Sequence, residues 1–327
     1  MTGGVSDRKL AVMLVHGVES AGEQYAARAT ELLRSEFTRI AGVSADEALV
    51  IEPAFWAPVF ESGQEQLSER LSGPGAKWLL NMLDALAARA SQGSTPALLA
   101  AASTAGLRWL PGLENAHFPT LRWLIVHYLG DAVAYRSGTD GTGHYEQVQA
   151  VLARSLHELA LKAGDDAPLA VLGHSLGSVV SSDFLYDLQG VAHGTPLYPG
   201  ARAALDDTPI ERGETFGWYY TLGSPLALWA QRHPEFGVPL TVPHPEFPEH
   251  HPDQRGEWVN VYDPDDVIAS PLRPLSDAWS RAVREDRRVG VGPWWLGWTP
   301  LAHPYYWNDR RVVTPIASQL AQAWHRL

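Results

Sequence analysis

The sequence predicts an α/β fold with a mostly parallel central sheet and helices on both faces, and three observations predict it. Short runs of mainly apolar residues recur at Leu10 to Val15, Pro168 to Leu172, Trp218 to Leu222 and Trp258 to Tyr262. Two of these runs, Leu10 to Val15 and Pro168 to Leu172, are apolar throughout rather than alternating, the pattern of strands buried on both faces. Between them stand segments with helical spacing, the alternation that builds parallel sheets.

Taken in order, Leu10 to Val15 is a strand that ends at His16-Gly17. The segment Ala21 to Ile40 then sets Tyr25, Ala29, Leu32, Leu33 and Phe37 at helical spacing. Ala48 to Trp56 is a second strand candidate, broken by Pro53 and closed by Pro58, because proline cannot donate to a ladder. Residues 61 to about 130 do not alternate. Leu79, Met82, Leu83 and Leu86 share a helical face, Thr95-Pro96 reads as a cap with a first-turn proline, and Leu121 to Leu129 as a short apolar helix. This stretch is expected to be a helical insertion, a cap or lid, within a single domain spanning 1–327.

The alternation resumes at His144 to Ala163, with Val148, Val151, Leu152, Leu156 and Leu159 on one face and Gly164 as a stop. The strand before Ser175, a helix after it, the strands Trp218 to Leu222 and Trp258 to Tyr262, a short one at Arg287 to Val291, and a closing helix at Val313 to Trp324 complete five or six strands.

Composition narrows the functions open to this chain. The 327 residues are 45% hydrophobic and 19% charged, an ordinary globular balance that supports a substantial core. A net charge of −12 argues against nucleic acid and anionic membrane surfaces as partners, since both demand basic patches. There is no cysteine, so disulfides, thiolate metal sites and a cysteine nucleophile are excluded. The apolar run near the N-terminus is about seven residues long and leads into a motif, so it reads as a core strand, not an integral membrane segment or leader. A cytoplasmic protein is expected; oligomeric state is not readable. Of the 13 tryptophans, Trp294, Trp295, Trp298 and Trp307 cluster, and core packing is the favoured role for each.

The segment Pro168 to Val180, PLAVLGHSLGSVV, carries the chemistry. A strand, then Gly-His-Ser-Leu-Gly, then a helix places Ser175 on a sharp turn that projects its hydroxyl clear of both elements. Gly173 and Gly177 let them pass closely. A serine hydroxyl becomes a nucleophile only beside a base, a group that orients the base, and donors for an oxyanion. Asn260 to Ala269 places acids just past a strand end, and Asp266 is chosen over Asp263 and Asp265, which read more simply as turn residues. His303 lies 37 residues further on, giving the chain order Ser, Asp, His. The oxyanion donors are expected to be the backbone amides of Leu176 and Val18. His16 reads as a structural hydrogen-bonding residue. His233, His244, His250 and His251 precede the acid and read as solvated surface, while His157 sits in a helical pattern. His244, Glu249, His250, His251 and Asp253 are of metal-ligand type, but a proline-rich loop without helical spacing is a poor cage, so no metal is expected.

These pieces resemble the serine α/β-hydrolases of lipase and esterase type. The resemblance rests on VMLVHGV at 12–18, VLGHSLGSVV at 171–180, TLGSPL at 221–226, NVYDPDDVIASPL at 260–272 and AHPYYW at 302–307. It spans nearly the whole chain except the insertion. It implies hydrolysis of a carboxylic ester through an acyl-enzyme with no cofactor, and the apolar helical insertion points to a small-molecule, hydrophobic ester as substrate. Thioesterase and acyltransferase use the same triad, and a non-catalytic ligand-binding member of the fold is the alternative of another class. The segment around Ser224 resembles a pocket wall, which implies that Ser224 is no second nucleophile. Two departures stand out: the strand before His16 comes first, where the family carries two earlier strands, and the insertion follows the second strand.

Overall fold

The computed structural model describes residues 9–17, 24–60, 135, 144–292 and 300–327. The expected helical insertion at 61–130, Val18, and Trp294, Trp295 and Trp298 lie outside the described residues.

Six strands form one sheet in which every pairing is parallel: β1 (Leu10–Val15), β2 (Leu49–Ala54), β3 (Leu169–His174), β4 (Phe216–Leu222), β5 (Glu257–Tyr262) and β6 (Glu285–Arg288). The order across the sheet is β2-β1-β3-β4-β5-β6. Strand side chains alternate between two cores. Ala11, Met13 and Val15 of β1 join Val171 and Tyr219 on one face with α2 (His144–Ala163) and α3 (Leu176–Val191). Leu10, Val12 and Leu14 join Leu172 and Tyr220 on the other with α1 (Gln24–Ala41) and α4 (Arg310–Trp324). Side chains from both faces of β1, β3 and β4 are wholly buried, which explains their unbroken apolar runs.

Two expectations need correction. Pro53 does not break β2: it pairs with Leu14 in an uninterrupted register, and β2 is the outermost strand among the described residues, the position where a sheet tolerates proline. The last strand lies at Glu285–Arg288, not Arg287 to Val291; it is the other edge, only partly buried, and carries four charged residues that no apolar pattern could flag. Helix α2 has the bounds read from sequence, ending at Gly164, whose φ of +108° suits glycine.

Because the strands are parallel, the loops after β1, β3, β4 and β5 all leave one edge of the sheet. Functional groups of open α/β sheets gather at that edge.

Candidate functional site

Ser175 joins β3 to α3 with φ 55° and ψ −133°, a conformation that L-residues rarely adopt. Three glycines make that turn geometrically feasible. A Cβ on Gly177 would sit 2.2 Å from the His16 carbonyl oxygen and 2.4 Å from that of Val15, so the first turn of α3 rests directly on the end of β1. A Cβ on Gly173 would sit 2.7 Å from Ser178 Cα. One on Gly17 would lie 2.5 Å from Ser175 Cβ and 2.9 Å from its Oγ, so the loop leaving β1 passes beside the hydroxyl. Leu176 is the first residue of α3, and its amide is among those that a helix leaves without an intrahelical acceptor. The expected second oxyanion donor, Val18, lies outside the described residues.

His303 is brought to this edge by a 3-10 segment, Pro300–Asn308, that precedes α4. Its Nδ1 is 2.6 Å from Asp266 Oδ2, and both side chains are buried. With the carboxylate ionised, Nδ1–H donates, which leaves Nε2 as the basic nitrogen. Burial pushes the Asp266 carboxyl up, but the facing His303, the Ile268 amide and the Tyr306 hydroxyl outweigh it and hold the group below the usual carboxylate range. The neighbouring acids are otherwise engaged. Asp263 accepts from the amides of Asp265 and Val291, the turn role weighed for it, and Asp265 is exposed.

Buried polar groups fix the loop that bears Asp266. Asn260 accepts from Thr221 Oγ1 and donates to Asp286 Oδ1 and the Ser270 carbonyl; Asp286 in turn accepts from the amides of Leu272 and Arg273. His303 is held from the other side. His174, next to Ser175, donates Nε2–H to the backbone carbonyl of His303 at 3.0 Å, and the two rings lie 4.9 Å apart between centroids. Its partner is a pure acceptor, so Nε2 must carry the proton. Burial first, then the charge of His303, drives the His174 pKa down to about 3, so the ring is neutral.

His16 has the structural role expected of it. Its Nδ1 donates to the Gly17 carbonyl and its Nε2 accepts from the Trp56 amide at 3.1 Å, while its ring stacks on Trp56 at 4.8 Å. Burial lowers its pKa to about 3. Ser224 is likewise committed. Ser178 donates to the Ser175 carbonyl, so the proton in the 2.7 Å contact between Ser178 and Ser224 belongs to Ser224, which also accepts from the Leu226 amide. Gly223, at φ 56°, lets that loop pass under the site: a Cβ there would meet Tyr306 Cε2 at 2.8 Å and His303 Cε1 at 3.2 Å.

Among the other histidines, His244 is not solvated surface: it is buried and accepts the Glu246 amide at Nδ1. The groups that converge in that region are Glu214, Glu246 and His250 rather than the set read from sequence. Two of the three are held by ion pairs, with His250 Nδ1 2.6 Å from Asp166, its Nε2 3.3 Å from Glu214, and Arg212 gripping Glu214 through two nitrogens. Two cavities among the described residues, of about 760 and 380 Å3, are lined by none of Ser175, Asp266 or His303. Sequence reasoning missed Tyr306. Its hydroxyl reaches Asp266 Oδ2 at 3.0 Å, and the only sequence signal was its place three residues after His303.

No family model, curated protein or solved structure matches the chain.

Proposed function

We propose that this protein is a serine hydrolase of α/β-hydrolase type that cleaves a carboxylic ester through an acyl-enzyme. The observation that carries the reading is the buried, 2.6 Å Asp266–His303 pair, hydrogen-bonded through the His303 carbonyl to His174, the residue that precedes a serine in a strained strand-to-helix turn. The six-strand order and the elements bearing each group are compatible with that fold. Ser175 attacks the ester carbonyl, His303 takes its proton at Nε2 and returns it to the leaving alcohol, Asp266 holds His303 in the Nδ1–H form, and the Leu176 amide, with Val18 as the proposed second donor, receives the oxyanion. Water then repeats the sequence on the acyl-enzyme. Neutral His174 suits this role, because a charged neighbour would oppose the imidazolium that forms.

Hydrolysis of p-nitrophenyl acetate tests the reading. Wild type is expected to turn over, and Ser175→Ala, His303→Ala and Asp266→Asn to lose about 10^4-fold or more in kcat. Equal rates in wild type and Ser175→Ala would defeat it.

A further inference from the structure

Tyr306 is wholly buried and stands one turn beyond His303 in the same 3-10 segment. Its hydroxyl makes two contacts whose directions are settled by chemistry. The Asp263 amide, 2.8 Å away, can only donate, so the phenolic oxygen accepts there. Its proton is therefore directed to Asp266 Oδ2 at 3.0 Å, the same oxygen that faces His303 Nδ1. The ring packs edge-on to His303 at 6.1 Å and lies 5.7 Å from His174. One hydroxyl thus ties the loop carrying the acid to the segment carrying the base, and places a second donor on the oxygen that orients the imidazole.

We infer that Tyr306 is a positioning residue that sets both the geometry and the hydrogen-bonding strength of the Asp266–His303 pair. The inference rests on the ester-hydrolase reading for its kinetic consequence. Two donors on one carboxylate oxygen compete for its electron density, so the Tyr306 proton weakens the pull of Asp266 on the His303 Nδ1 proton while locking the carboxylate in place. A tyrosine that served only to fill space would keep its ring contacts and have no influence on that proton.

The test uses the full chain at neutral pH and reads the low-field proton resonance of His303 Nδ1–H, identified by its loss in Asp266→Asn, together with p-nitrophenyl acetate kinetics. Tyr306→Phe keeps the ring against Gly223 and deletes only the hydroxyl. It is expected to move the resonance further downfield and to lower kcat about tenfold with KM within twofold. Should Tyr306→Phe fail to fold, 3-fluorotyrosine at position 306, a more acidic and stronger donor, is expected to move the resonance upfield. An unmoved resonance overturns the inference, as does a moved resonance with unchanged kcat in an active enzyme. A wild type without esterase activity, whose resonance still responds to the hydroxyl, removes the ester reading and leaves the Tyr306–Asp266–His303 coupling standing.

Discussion

Lowering the pH from 7.5 to 5 should destabilise this protein well before its carboxylates titrate, because two buried histidines at the site refuse protons. His16 and His174 are both held at about 3 against an ordinary 6.5, burial being the main cause in each. For His16 the atoms explain the refusal: a proton on Nε2 would leave the Trp56 amide facing a donor instead of its acceptor. A histidine whose folded pKa is depressed stabilises the fold fully above the unfolded value and loses that contribution as pH falls, down to the folded value. The window here is therefore about pH 6.5 to 3. At pH 5 the folded rings are still neutral while the unfolded ones are almost all protonated, so linkage gives a loss of about 2 kcal/mol per histidine and about 4 kcal/mol for the pair. That is a large part of a typical stability of about 5–15 kcal/mol. His244, also lowered by burial, adds to the loss. His157 opposes it, being raised first by its hydrogen bond to Glu211, but its side chain is 27% exposed and solvent screening reduces its effect. Urea unfolding at the two pH values measures the sum, and the His16→Gln variant should shrink the difference by about 2 kcal/mol. A wild type that loses less than about 1 kcal/mol between pH 7.5 and 5 would refute the assignment of neutral, buried rings.

Other outcomes follow from the turn itself. Ser175→Gly should be more stable than Ser175→Ala by about 1–2 kcal/mol in thermal or urea unfolding, the reverse of the usual order, because only glycine relaxes at φ 55°. Gly177→Ala drives a methyl into two backbone oxygens and should cost about 3 kcal/mol or more, whereas Gly290→Ala, with open space around it, should be neutral or slightly stabilising. Gly17→Ala should cost about 1–3 kcal/mol and abolish the proposed esterase activity even where the protein remains folded, since its methyl would press on the Ser175 hydroxyl.

Much of this arrangement was legible in the sequence, and the exceptions have physical reasons. Buried strands announce themselves through unbroken apolar runs, and α2 through a clean helical stripe ended by glycine. Edge strands do not: Pro53 looked like a breaker because sequence does not reveal which strand lies at the rim, and Glu285–Arg288 has no buried face to leave a pattern. Chain order and turn chemistry selected Ser175, Asp266 and His303, and the structure brings the last two into contact. Tyr306 stayed hidden because Tyr305 and Tyr306 are alike in sequence; only the helical twist decides which hydroxyl meets Asp266. His244 was misread because burial of a loop histidine depends on what folds over it.

The most direct test of the central claim is to treat the protein with a fluorophosphonate and map the adduct by mass spectrometry of its peptides. One covalent phosphonyl group is expected, on Ser175, with its formation slowed sharply in His303→Ala. An adduct on Ser224 or elsewhere, or none at all on Ser175 of the folded wild type, would contradict it.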